Sequence, residues 1–204
     1  QSDADFDRVL EGYLAEIAAN PNDPKFPRKI AEIYVDKKKD HKTAQDWFRK
    51  ASAVAPNDSL FRDKIDDCEI KLIEARRDAA QKAGDPKVKE IHIELLKFQI
   101  QTYERRVQEH PTDMGLRFNL GKSYFQGGMI DKAVSEFQQS VKDPKKKNES
   151  HYYLGLGFQK KKMFEMAEKQ YIAAEENILS QDQRCKILYQ RALCHFEAGR
   201  KDKA

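Results

Sequence analysis

The sequence predicts an all-α fold built from antiparallel helix hairpins stacked in series. Three observations carry that expectation. A proline phrase recurs as Asn20-Pro21-Asn22-Asp23, Ala55-Pro56-Asn57-Asp58 and His110-Pro111-Thr112-Asp113, each time after an amphipathic segment. An aromatic residue, Tyr13, Phe48 or Tyr103, stands eight residues before each of these prolines. A pattern of small and aromatic residues returns under a shift of 34: Leu120-Gly121-x-x-Tyr124 with Ala133-x-x-x-Phe137 reappears as Leu154-Gly155-x-x-Phe158 with Ala167-x-x-x-Tyr171.

The physical reading of the proline phrase is direct. Proline ends a helix and biases the residue before it away from helical geometry. The Asn, Asp and Thr that follow are good caps for the next helix. Composition agrees with a thin, repetitive body. Charged residues make up 35% of the 204-residue chain and apolar ones 39%. A stack of hairpins buries only neighbour-facing sides and so keeps much surface.

In chain order, residues 1–21 read as the second helix of a repeat, with Phe6, Val9, Leu10, Tyr13, Leu14 and Ile17 on one face. Residues 24–56 form a repeat carrying Ile30-Ala31-x-x-Tyr34, Ala44, Phe48 and Ala51, with one extra residue in its turn. Residues 58–111 form an expanded repeat, because Pro56 to Pro111 spans 55 residues rather than 34. Its two long helices, 59–83 and 86–110, are divided by Gly84-Asp85-Pro86, which supplies a stop, a cap and a first turn. The later helix carries two apolar stripes, Val88/Ile91/Leu95/Phe98/Thr102 and Ile93/Leu96/Ile100/Tyr103/Val107. Residues 114–145 and 148–181 are the two clean repeats. Residues 185–204 begin a last one, with Arg191, Ala192 and His195 where Leu, Gly and an aromatic stand earlier, and with Ala204 at the Ala133 position. The expectation is therefore a piece of a longer array, whose open apolar ends self-associate.

This pattern resembles the tetratricopeptide repeat family, whose signature is W-x₂-L-G-x₂-Y…A-x₃-F…P over 34 residues. The signature Trp is replaced by Arg117 and His151 in the clean repeats. The resemblance implies a right-handed α-solenoid in which Gly121, Gly155, Ala133 and Ala167 mark the closest approach of paired helices. It also implies a concave face, lined by each repeat's first helix, that binds peptides or protein surfaces.

The groove positions carried over from the family are Phe118, Asn119, Lys122 and Phe125 in one repeat, and Tyr152, Tyr153 and Lys160 in the next. Tyr189 follows in the last, and Lys186 lies just before it. Some members clamp a carboxylate-terminated peptide with fixed Lys, Asn and Arg. Asn119, Lys122 and Lys186 match that set only loosely, and Tyr153 and Gln190 break it, so that specific activity is not expected.

Other chemistries lack their constellations. Gly121-Lys122-Ser123 has no glycine at position 116, where a phosphate loop needs one. Gly155-x-Gly157 has no third glycine and no preceding strand. The five histidines show no metal-ligand spacing, and Cys68, Cys185 and Cys194 form no C-x-x-C pair. The expectation is a non-enzyme without cofactor or metal. Its partner would be a protein or peptide, with a structural spacer in a larger protein as the alternative.

The formal charge of +4 comes from 38 basic and 34 acidic residues that are interspersed, so a nucleic-acid partner is not expected. Lys37–Lys39, Lys145–Lys147 and Lys160–Lys162 read as solvated turns, with RNA or an anionic surface as the lesser alternative. No apolar run approaches the roughly 20 residues of a membrane span. The compartment stays open, with the cytoplasm favoured.

Overall fold

The structure, a computed structural model, describes residues 3–176 and 180–199, with side chains from residue 5. Ala204, expected at the small-residue position of a following helix, lies outside the described residues. Among the described residues, ten α-helices follow one another: α1 (Asp3–Ala19), α2 (Lys25–Ile33), α3 (His41–Val54), α4 (Ser59–Lys82), α5 (Val88–Glu109), α6 (Met114–Gln126), α7 (Ile130–Ser140), α8 (Lys147–Lys160), α9 (Phe164–Glu175) and α10 (Gln181–Glu197). The same residues contain no strand. No helix of the described residues is long and apolar enough to cross a membrane. The chain divides into two compact units, residues 1–95 and 96–204, with the division inside α5.

The caps explain where the helices begin. Asp58 accepts from the Leu60 amide at 2.9 Å and Asp113 from the Leu116 amide at 3.0 Å. Asp40 accepts from both the amide and the hydroxyl of Thr43, at 3.0 and 2.6 Å. Those bonds satisfy amides that have no partner inside the first turn. Gly84 closes α4 in the left-handed region at φ +65, where glycine has no Cβ to clash. The Asp85 amide then reaches back to the Ala80 carbonyl at 2.9 Å.

In the first unit, α2 and α3 pack as a hairpin and α4 lies against α3. Ala31 and Ala44 are fully buried, and Phe48, Ala51, Phe61 and Cys68 complete the core. The extra residue of this repeat is absorbed by a wider helical turn over Tyr34–Lys38, ended by Lys39 at φ 54. Such a π-type turn takes one more residue per turn without breaking the helix.

In the second unit, α6 pairs with α7 and α8 with α9, while α8 also lies on α7 and α10 on α9. The glycines sit at helix crossings. A Cβ on Gly121 would lie 2.8 Å from a Phe137 ring carbon, and one on Gly155 2.5 Å from a Tyr171 ring carbon. Gly157 does the same work at the next seam, where a Cβ would meet Val134 at 2.7 Å. Two fully buried hydroxyls, Ser140 and Ser150, share a 2.7 Å hydrogen bond between α7 and α8. The two apolar stripes of α5 are mostly covered, but Ile93 near its start is 52% exposed.

Candidate functional site

The first helices of the second unit, α6, α8 and α10, lie side by side. All nine groove residues expected from the sequence fall on them, but in two different environments. Phe118 and Tyr152, each three residues before its glycine, turn toward the second helix of their own hairpin. Phe118 packs on Phe137 with ring centroids 5.8 Å apart, and Tyr152 on Tyr171 at 6.2 Å. Phe118 is only 2% exposed and so supports the face from beneath rather than lining it. Tyr189 holds the same register in α10 and is 66% exposed.

Tyr153 is the hub. Its ring stacks on Phe137 at 5.0 Å and 18°, and meets Phe118, Phe125 and Tyr152 edge-on at 5.8, 5.9 and 5.6 Å. Offset and edge-on pairs add to the stabilisation that burial alone gives. Lys122 and Lys146 both hold their ammonium groups over the Phe118 ring, at 5.7 and 5.0 Å. Phe125 stays half-buried beside Tyr153, and Asn119 is half-buried on the same helix. Lys160 is exposed at the C-terminal end of α8, away from this cluster in sequence and on the last turn.

A cleft of about 190 Å³ opens between α8 and α10. From α8 it takes Asn148, Glu149, Tyr152 and Tyr153, and from α10 it takes Gln183, Lys186 and Ile187. Three of the expected residues, Tyr152, Tyr153 and Lys186, therefore converge. Asn148, Glu149, Gln183 and Ile187 were missed because the groove positions carried over from the family begin three residues before the glycine. The two turns upstream of that point are helical too, and Lys186 was the single indication that they belong to the face.

The electrostatics of the cleft are uneven. Lys146 binds Glu149 at 3.2 Å, and the Asn148 amide donates to the Glu176 carbonyl at 2.7 Å. Burial pushes ionisation of Tyr152 and Tyr153 above the ordinary tyrosine range, so both remain neutral phenols. Among the described residues, neither hydroxyl has a hydrogen-bond partner, and Lys122, Lys160 and Lys186 have no ion pair. Gln159 is engaged at both ends of its amide instead: it accepts from the Tyr171 hydroxyl at 2.6 Å and donates to Glu197 at 2.9 Å. No cluster of three His, Cys, Asp or Glu side chains suited to a metal exists among the described residues.

Hairpins closed by small residues, with their first helices sharing one face, define a helical-repeat protein. Residues 116–145 match the tetratricopeptide repeat family, and the chain has the fold of tetratricopeptide-repeat proteins. YrrB, described as a tetratricopeptide-repeat protein with an unusual peptide-binding site, is 18% identical, with a TM-score of 0.62 over 91% of this chain and 84% of its own. MamA is 16% identical, with a TM-score of 0.58 over 90% of this chain and 93% of its own. TTC0263, a thermophilic tetratricopeptide-repeat protein of Thermus thermophilus, is 18% identical, with a TM-score of 0.52 over 91% of this chain and 90% of its own. At such identities the likeness is one of fold. No curated protein sequence matches the chain.

Proposed function

We propose that the chain is a non-catalytic protein-interaction module that holds a peptide or partner helix on the face shared by α6, α8 and α10. The repeats 114–145 and 148–181, with the start of the next, supply that face. The observation that carries the reading is the α8–α10 cleft, where aromatic walls meet polar groups that have no partner within the described chain. Tyrosines bring large contact area with little conformational freedom to lose, and they dominate recognition hot spots. Lys122 and Lys186 lack acidic partners among the described residues, whereas Lys146 and Lys161 are paired with Glu149 and Asp131. Lys186 on the cleft, and Lys122 over the Phe118 ring on α6, favour a peptide of apolar residues with acidic neighbours.

A peptide-display selection against the protein tests this. The best selected peptide is expected to bind a Tyr152→Ala, Lys186→Glu variant at least about tenfold more weakly, a loss of ~1.4 kcal/mol. Equal binding to both proteins would place the interaction elsewhere.

A further inference from the structure

We propose that the α8–α10 cleft recognises an extended, proline-rich segment in the polyproline II conformation. The inference rests on the peptide-binding reading of this face and names the peptide's chemistry. Three observations carry it, and the first is size. An α-helix is about 10–12 Å across with its side chains, and it docks by laying a whole apolar face into a long groove. A cleft of about 190 Å³ between two helices takes one or two side chains of an extended chain instead.

The second observation is the shape of the aromatic wall. Tyr152 and Tyr153 are consecutive, and their rings meet at 76° with centroids 5.6 Å apart. The two rings, set at a steep angle, line the cleft together with Ile187 from α10. Pyrrolidine rings are rigid, apolar and broad, and aromatic-lined grooves of this kind hold them well. Because the proline segment is already extended before it binds, little ordering entropy opposes docking.

The third is the hydrogen-bond balance. The hydroxyls of Tyr152 and Tyr153, the Gln183 amide and the Lys186 ammonium are donors without partners among the described residues. The carboxylate at the cleft, Glu149, is already held by Lys146 at 3.2 Å. Proline has no N–H, and a polyproline II helix makes no internal hydrogen bonds, so its carbonyls are all free acceptors. The hydroxyls and the Gln183 amide also carry acceptor oxygens, and the acceptor-rich backbone of a polyproline segment engages their donor side together with the Lys186 ammonium.

The test is fluorescence anisotropy with the whole chain and three labelled probes: an oligoproline of about nine residues, three polyproline turns; a glutamate-rich peptide of equal length; and an amphipathic helical peptide. The oligoproline is expected to bind, with little change between low and moderate salt. A Tyr152→Phe, Gln183→Ala variant should weaken it about tenfold, because the change removes only groups that bond nothing else in the described fold. Circular dichroism confirms that the variant is folded.

The inference falls if the oligoproline fails to bind, or binds both proteins equally. It also falls if the glutamate-rich peptide alone binds and is released by salt, which makes the cleft an anion site. Binding of the helical probe alone, weakened by Tyr152→Ala, would overturn the inference while leaving the interaction face intact.

Discussion

The two compact units use the same hairpin and finish it differently. In the first, Ala31 and Ala44 stand at the helix crossing, both fully buried, with Phe48 closing the space beside them. In the second, the first of each pair is a glycine, Gly121 or Gly155, and the aromatic ring of the second helix lies directly over it. The clefts between neighbouring first helices differ as well. The one between α2 and α4, about 380 Å³, is lined mainly by charged groups: Asp23, Lys25, Arg28, Lys29, Glu32 and Asp58. Arg28 and Glu32 there already bond each other at 2.8 Å. The one between α8 and α10 has two tyrosines and unpaired donors. One architecture thus carries a mostly charged cleft at one place and an aromatic one at another, which is how sites are grafted onto repeated folds.

The largest expected effect tests whether the shared hairpin is equally vital in both units. Phe48 and Phe137 occupy the same register and are 1% and 0% exposed. Phe48→Ala and Phe137→Ala should each cost about 3–5 kcal/mol in urea unfolding. Phe137→Ala is expected at the upper end, since it also loses the rings of Phe118 and Tyr153. A loss below about 2 kcal/mol at either site would show that hairpin to be loosely closed. Trp47, the single tryptophan, reports the first unit by fluorescence.

A smaller effect tests the difference at the crossing. Gly155→Ala places a methyl 2.5 Å from the buried Tyr171 ring. Overpacking costs about 1–3 kcal/mol, while replacing a helical glycine returns about 1 kcal/mol of propensity. A net loss of about 0–2 kcal/mol is expected from those two terms. A stabilised variant would mean that the helices can separate without penalty and that the glycine is not set by close approach.

Much of the fold is legible in the sequence because its signals are local. The Pro-x-Asp phrases act through caps within one turn, so Asp58 and Asp113 can be placed without knowing any tertiary contact. The 34-residue recurrence of small and aromatic residues reports helix crossings, and Gly121 and Gly155 stand at them. What the sequence does not show is which way a ring turns. Phe118 and Tyr189 share a register, but the first is 2% exposed and the second 66%. The difference lies in what packs on top, as the Phe137 and Tyr153 rings do on Phe118, and no local signal carries that. Gly157 reads in the sequence only as half of a failed dinucleotide loop, because its partner, Val134, belongs to the preceding hairpin and lies outside the repeat signature. The cleft is legible in part, since Lys186 and the two tyrosines lie on it. Asn148, Glu149, Gln183 and Ile187 sit upstream of the expected register.

The smallest effect concerns the caps, where Asp40 differs from both Asp58 of its own unit and Asp113 of the other. Asp40 accepts two bonds from Thr43, and Asp113 accepts one from Leu116. The Thr43 hydroxyl and amide favour the charged form of Asp40 and hold its carboxyl below the ordinary value of 3.8. A folded-state value below the unfolded one means that the ionised cap stabilises the fold above the unfolded value. The contribution is then lost as pH falls through the folded value. Asp40→Ala should therefore cost about 1 kcal/mol near neutral pH, read by Trp47 fluorescence in α3. The gap between wild type and variant should close as pH drops below 3.8. If the gap persists undiminished in acid, the stabilisation comes from the turn's backbone geometry rather than from the carboxylate. Asp40→Asn separates the two, because an asparagine cap keeps the hydrogen bond and does not titrate in this range.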